Sequence, residues 1–199
     1  MHCRVSIIAL GLFVALGSVP AAAQHADSKA AQHTAKPMSA KQKIATALRA
    51  APEDIAANAA VVEAAPDGTM KELRPGTNGW VCMVEPEAMC LDKQWQDWAA
   101  AWMGKTDPKT TAVGVAYMLS GEKIGVSNTD PYATKPSADN DWIISPAHIM
   151  ILVPDTADLE SLPTEPRAGG PWVMWKGTKY AHIMVPTVRM PAAKTPQKK

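Results

Sequence analysis

The sequence predicts an α+β fold: a mainly antiparallel sheet covered by two or three short helices. Three observations point there. Short runs rich in Val, Ile, Tyr and Trp recur between clusters of Pro, Gly, Asn and Asp, which is the pattern of strands and tight turns. Two segments instead carry apolar residues three and four apart, the period of an amphipathic helix. Trp172 to Trp175 and Tyr180 to Val185, joined by Lys176 to Lys179, read as a hairpin, an antiparallel pair.

The elements follow in order. Ser39 offers an N-cap with Gln42 three residues on, the spacing of a capping box. Ile44, Ala47, Leu48 and Ala51 then mark one helix that should stop near Pro52. Pro52-Glu53-Asp54 opens a second helical turn or two, through Ile55 to Ala60. From Val61 the pattern becomes strand-like. Val61-Val62, Thr69 to Leu73 and Trp80 to Val84 are separated by the turns Pro66-Asp67-Gly68 and Pro75 to Gly79. Asp92 caps a helix running to about Met103 and stopped by Gly104. Leu91, Trp95, Trp98, Ala99 and Trp102 share one face of it. That stripe reads as the face that docks the helix on the sheet, in preference to a carbohydrate-stacking surface.

Ala112 to Leu119 is a strand, and Gly121 to Asp141 is a polar loop. Trp142 to Val153 is the longest apolar run outside the N-terminus and predicts a central strand, with Pro146 at an edge or bulge. Asp155 caps a short helix to Leu162. Trp172 to Trp175 and Tyr180 to Val185 form a hairpin turned by Lys176 to Lys179.

The N-terminus carries an address. His2 and Arg4 precede an apolar run from Val5 to Leu16, and Ala21-Ala22-Ala23 precedes Gln24. Residues 1–23 therefore read as a secretory signal peptide with an A-x-A cleavage site, its apolar core too short for a lasting membrane anchor. The mature chain is expected to be periplasmic or secreted. Residues 24–38 read as a flexible leader, 39–188 as a single α+β domain, and 189–199 as a disordered tail. The chain has 20 Lys and Arg against 19 Asp and Glu, so losing Arg4 balances the two. A neutral chain has no long-range field to concentrate nucleic acid or anionic lipid. No later run approaches membrane-spanning length, which argues against stable membrane insertion of the mature chain.

Cys82 and Cys90 remain after cleavage, and an even pair in an exported protein is most simply a disulfide. Closing so short a loop stabilises by roughly 2–3 kcal/mol in the chain-entropy model. Met83 and Met89 flank the cysteines, so soft-metal ligation of Cu(I) is the competing reading.

One repetition bears on function. Ala147-His148-Ile149-Met150 recurs as Ala181-His182-Ile183-Met184, each in a predicted strand. Alternation puts His148 with Met150 on one face, and His182 with Met184 on one face. If the strands are neighbours, two imidazoles and two thioethers could converge, a ligand set suited to copper. The same alternation aligns them with Trp142 and Tyr180, as in a core face holding a hydrogen-bonded histidine. No G-x-S-x-G elbow, H-E-x-x-H helix or Gly-rich phosphate loop is present.

Four stretches resemble an uncharacterised family of exported bacterial proteins: Glu72 to Cys82, Met89 to Lys93, Asn128 to Pro136, and Pro171 to His182. The likeness covers about residues 44 to 188. That family has no assigned activity, ligand or catalytic residue, so the resemblance implies export and carries no role to any residue.

The lead expectation is a non-catalytic binding domain for a small ligand or a protein partner, with no cofactor. Its site is expected where the His-x-Met strands meet the loop of Asp130 and Tyr132. His148, His182 and Tyr132 would supply hydrogen bonds, and Trp142 and Trp172 apolar walls. The alternatives are a periplasmic copper-handling protein using His148, Met150, His182 and Met184, and a hydrolase with His148 or His182 as general base oriented by a loop aspartate.

Overall fold

The computed structural model describes residues 37–65 and 68–190. The expected signal peptide, most of the expected leader, the turn tip at Pro66 and Asp67, and most of the expected tail lie outside the described residues.

Helix α1 spans Ala40–Leu48, and its capping box forms as expected. The Ser39 hydroxyl accepts from the Gln42 N–H, and the Gln42 side chain accepts from the Ser39 N–H at 2.8 Å. Together they satisfy two of the amides that a helix start leaves without partners. Helix α2, Glu53–Ala56, is a single turn. Strands β1 (Ala60–Ala64), β2 (Met70–Arg74), β3 (Val81–Met83) and β4 (Met89–Leu91) follow. Asp92 then caps α3, Lys93–Met103. One of its carboxylate oxygens accepts from the Trp95 N–H at 2.9 Å and the other from the Val115 N–H, tying the helix start to the next strand.

The remaining strands are β5 (Gly114–Met118), β6 (Val126–Ser127), β7 (Trp142–Ile143), β8 (His148–Leu152), β9 (Trp172–Met174) and β10 (His182–Pro186). Eight of the strands form one sheet in the order β2-β1-β3-β4-β5-β8-β10-β9, and β6 and β7 form a separate pair. The large sheet is antiparallel throughout except for the parallel β1–β3 pair. It is larger than its helices cover. On one face α3 packs Trp95 and Trp98 against Ala116, Met150, Leu152 and Met184. On the other face α1 covers Val61, Cys82 and Cys90, while Leu159, from the turn Thr156–Leu159, covers Val173 and Ala181.

The expected single strand over 142–153 is divided. Trp142–Ile143 pairs with β6, and only His148–Leu152 joins the large sheet, centrally between β5 and β10. Proline lacks the N–H that a ladder needs, so the chain breaks around Pro146. The Ser145 N–H beside it turns instead to the Glu122 carboxylate at 2.6 Å. Neither short strand β4 nor β6 was expected.

Both sheet edges are protected. Exposed Lys71 and Glu72 lie on β2, where the register with β1 is also irregular, and such features discourage strand addition. At the other edge the Val173 N–H donates to the Pro163 carbonyl at 2.8 Å and the Trp175 N–H to the Asn128 carbonyl at 2.9 Å.

Cys82 and Cys90 are bonded to each other, directly across β3 and β4, and both are fully buried. A cystine offers no thiolate, so the reading of these two residues as metal ligands fails. Because they face α1, alternation turns Met83 and Met89 to the opposite face, where both pack against the α3 core.

Candidate functional site

The two His-x-Met segments are neighbours, and their register decides what they build. Met150 on β8 lies directly opposite Met184 on β10 and Ala116 on β5. His148 lies opposite Met118, and His182 opposite Met174. The pairing is antiparallel, so the identical tetrapeptides meet head to tail. The two histidines therefore flank the central methionine pair from opposite ends, about 13 Å apart along the strands at the usual strand rise. All four residues share a face, but the backbone does not bring the imidazoles to one point.

Each histidine is held in the same way. His148 Nδ1 lies 2.6 Å from the Pro146 carbonyl oxygen, and His182 Nδ1 lies 3.0 Å from that of Tyr180. A carbonyl only accepts, which assigns the proton to Nδ1 and leaves Nε2 as a bare acceptor. His148 is 0 % exposed and His182 2 %, and neither Nε2 has a hydrogen-bond partner. Burial lowers the pKa of both rings, and that of His182 falls to about 4, against the opposing pull of the Tyr180 carbonyl and with a further lowering from the His148 ring. Both are neutral at physiological pH.

The surroundings of the two rings differ. His182 stands edge-on to Trp95, Trp98 and Trp175, with centroids 5.1–5.5 Å away. His148 stands among thioethers: Met118 opposite, Met150 two residues along, and Met83 paired with Met89 two strands farther on the same face.

The other expected site residues separate. Trp172 is fully buried and donates its indole N–H to Asn128. Trp142 is half-buried, its indole lying over Gly125, where a Cβ would meet it at 2.2 Å. Asp130 is exposed and accepts from the Tyr132 N–H at 2.8 Å, a local turn. Tyr132 does reach the His182 neighbourhood. Its hydroxyl lies 2.9 Å from that of Tyr180, whose ring meets Trp98 edge-on. The face of Tyr132 is already used, stacked on Trp102, with the Lys105 ammonium 5.0 Å from its centroid. Trp102 in turn stacks on Trp175, and Trp175 on Trp98. These rings satisfy one another, as expected of the stripe that docks α3. His148, His182 and Trp172 thus belong to the core and not to a surface cleft shared with Asp130 and Tyr132.

The hydrolase arrangement is not formed. Both histidines turn Nδ1 to a backbone carbonyl where a relay needs a carboxylate. Asp141, in the same loop as Asp130, accepts from Asn128 and faces Arg167. Open clefts of about 420 and 310 Å³ adjoin Lys176, and neither is lined by His148 or His182.

One unusual group was not anticipated. Glu122 sits in the loop after β5, and burial, with the Glu87 charge nearby, raises its carboxyl to about 7. Glu87 itself accepts from the Lys123 and Ile124 amides. No spacing or periodicity marks Glu122; its burial depends on the chain reversal that brings Ser145 to it.

Comparison with protein-family models, with curated proteins and with solved structures finds no match. No helix among the described residues is long and apolar enough to cross a membrane.

Proposed function

We propose that the mature chain is an exported, non-catalytic binding domain that takes a small ligand on the α3-covered face of its sheet. One observation carries this reading: two buried, neutral histidines each keep Nε2 without a partner. Leaving a buried acceptor unpaired costs about 1–3 kcal/mol, so a core that does so favours a ligand that completes the pairing at one of the two rings. The signal-peptide pattern of residues 1–23 supports export, and the cystine suits an oxidising compartment.

Native mass spectrometry of the chain, recovered from the exported fraction without chelators, tests the proposal. A stoichiometric adduct that disappears in the His148→Ala, His182→Ala double variant supports it. Absence of an adduct from both proteins, or an adduct that the double variant retains, would overturn it.

A further inference from the structure

We propose that the ligand is a soft monovalent metal ion, Cu(I), held by His148 Nε2 together with the thioethers of Met118 and Met150. This rests on the binding reading above and names its ligand.

The donors come from two adjacent central strands. His148 opens β8, Met118 closes β5, and the two are register partners. Directly paired residues hold their Cβ atoms about 4.5–5.5 Å apart, and residues two along one strand are about 6.6 Å apart on the same face. Methionine, unbranched and with three rotatable side-chain bonds, can close those gaps onto a common point. Beside Met150 the register places Ala116, whose small side chain leaves the approach from β5 open.

The imidazole is already prepared. Its Nδ1–H is fixed on the Pro146 carbonyl, the outer-shell bond that commonly orients a ligating histidine, and Nε2 carries the lone pair. Binding there displaces no proton.

The surroundings select the ion. Among the described residues no three His, Cys, Asp or Glu side chains stand together as a cage. Of the register partners of His148, Pro186 offers no donor and Met118 a thioether, and with Met150 two residues along the donors beside it suit Cu(I) and serve hard divalent ions poorly. They are also uncharged, so a divalent ion would bring a double charge into the core without compensation, and a monovalent ion meets a smaller desolvation cost. The His182 end is less suited, because three tryptophan rings already crowd its imidazole.

The test is an anaerobic titration of the intact mature chain with Cu(I) against a chromophoric Cu(I) chelator, without thiol reductants so that the cystine survives. The M118L/M150L variant conserves volume and so keeps the fold, which its thermal transition verifies. M174L/M184L serves as the control. The wild type and the control should withdraw Cu(I) from the chelator, and M118L/M150L, which loses two direct ligands, should bind at least about 100-fold more weakly, the upper end of what an outer-shell change alone costs. Failure of the wild type to compete, or M118L/M150L binding as tightly as the wild type, would overturn the proposal. A non-copper adduct lost in the double histidine variant would do so while leaving the binding reading intact; no adduct and no Cu(I) binding would remove both.

Discussion

At Glu122 a single carboxyl couples the fold to pH. Its Oε2 accepts from the Ser145 N–H, and its own N–H donates to the Ser145 carbonyl at 2.8 Å, so this residue clamps the segment leading into His148. The group's pKa rises on folding from 4.5 to about 7. A carboxyl raised in the folded state favours folding while protonated, so its stabilising contribution is present below pH 4.5 and is lost as pH climbs through 7. Glu122→Gln keeps an acceptor and removes the charge. It should stabilise the protein at pH 8 by up to about 3 kcal/mol and leave it nearly unchanged at pH 4. Denaturation midpoints across that range check this, and parallel profiles for the two proteins would refute it. Gly76 gives a simpler case. A Cβ there would fall 2.1 Å from the Ala60 backbone nitrogen, so Gly76→Ala should cost a few kcal/mol, read from the thermal transition. The turn around Gly76 was legible in the sequence. The reason for glycine was not, because it lies in a strand remote in the chain.

Elements were legible where their signals are local. The Ser39 box and the Asp92 cap act within one turn of chain, and both helices begin where those residues stand. Asp92 does more than cap, since its second oxygen holds the Val115 amide. Asp92→Ala should therefore cost more than a lone cap, about 2 kcal/mol, with denaturant titration as the measure and a loss below 0.5 kcal/mol as the contrary result. The cystine was also legible, from spacing and compartment. Removing it as C82A/C90A should lower stability by roughly 2–3 kcal/mol, and an unchanged denaturant midpoint would contradict that. The division of 142–153 into two strands was not foreseen in full. Pro146 marked the weak point, but only the partners β6, β5 and β10 decide that each half pairs elsewhere.

For the whole molecule, the residue types of the candidate site were legible and their arrangement was not. The duplicated Ala-His-Ile-Met announced a shared face. Whether the copies align or oppose depends on strand direction, which no tetrapeptide encodes, and the antiparallel answer separates the histidines while joining the methionines. Burial of Trp172 and His182 likewise follows from α3 crossing that face, so side chains expected to line a cleft became core. The outcome is a sheet with most of the chain's 11 methionines, and both histidines of the described residues, on one side. On that side two neutral imidazoles hold Nε2 open. Side-chain ¹⁵N NMR of the histidines tests this most directly. His182 should stay neutral at pH 6, His148 should titrate below its ordinary 6.5, and both should carry the neutral ring's proton on Nδ1. A ring that gains charge near pH 6.5, or carries its proton on Nε2, would contradict it.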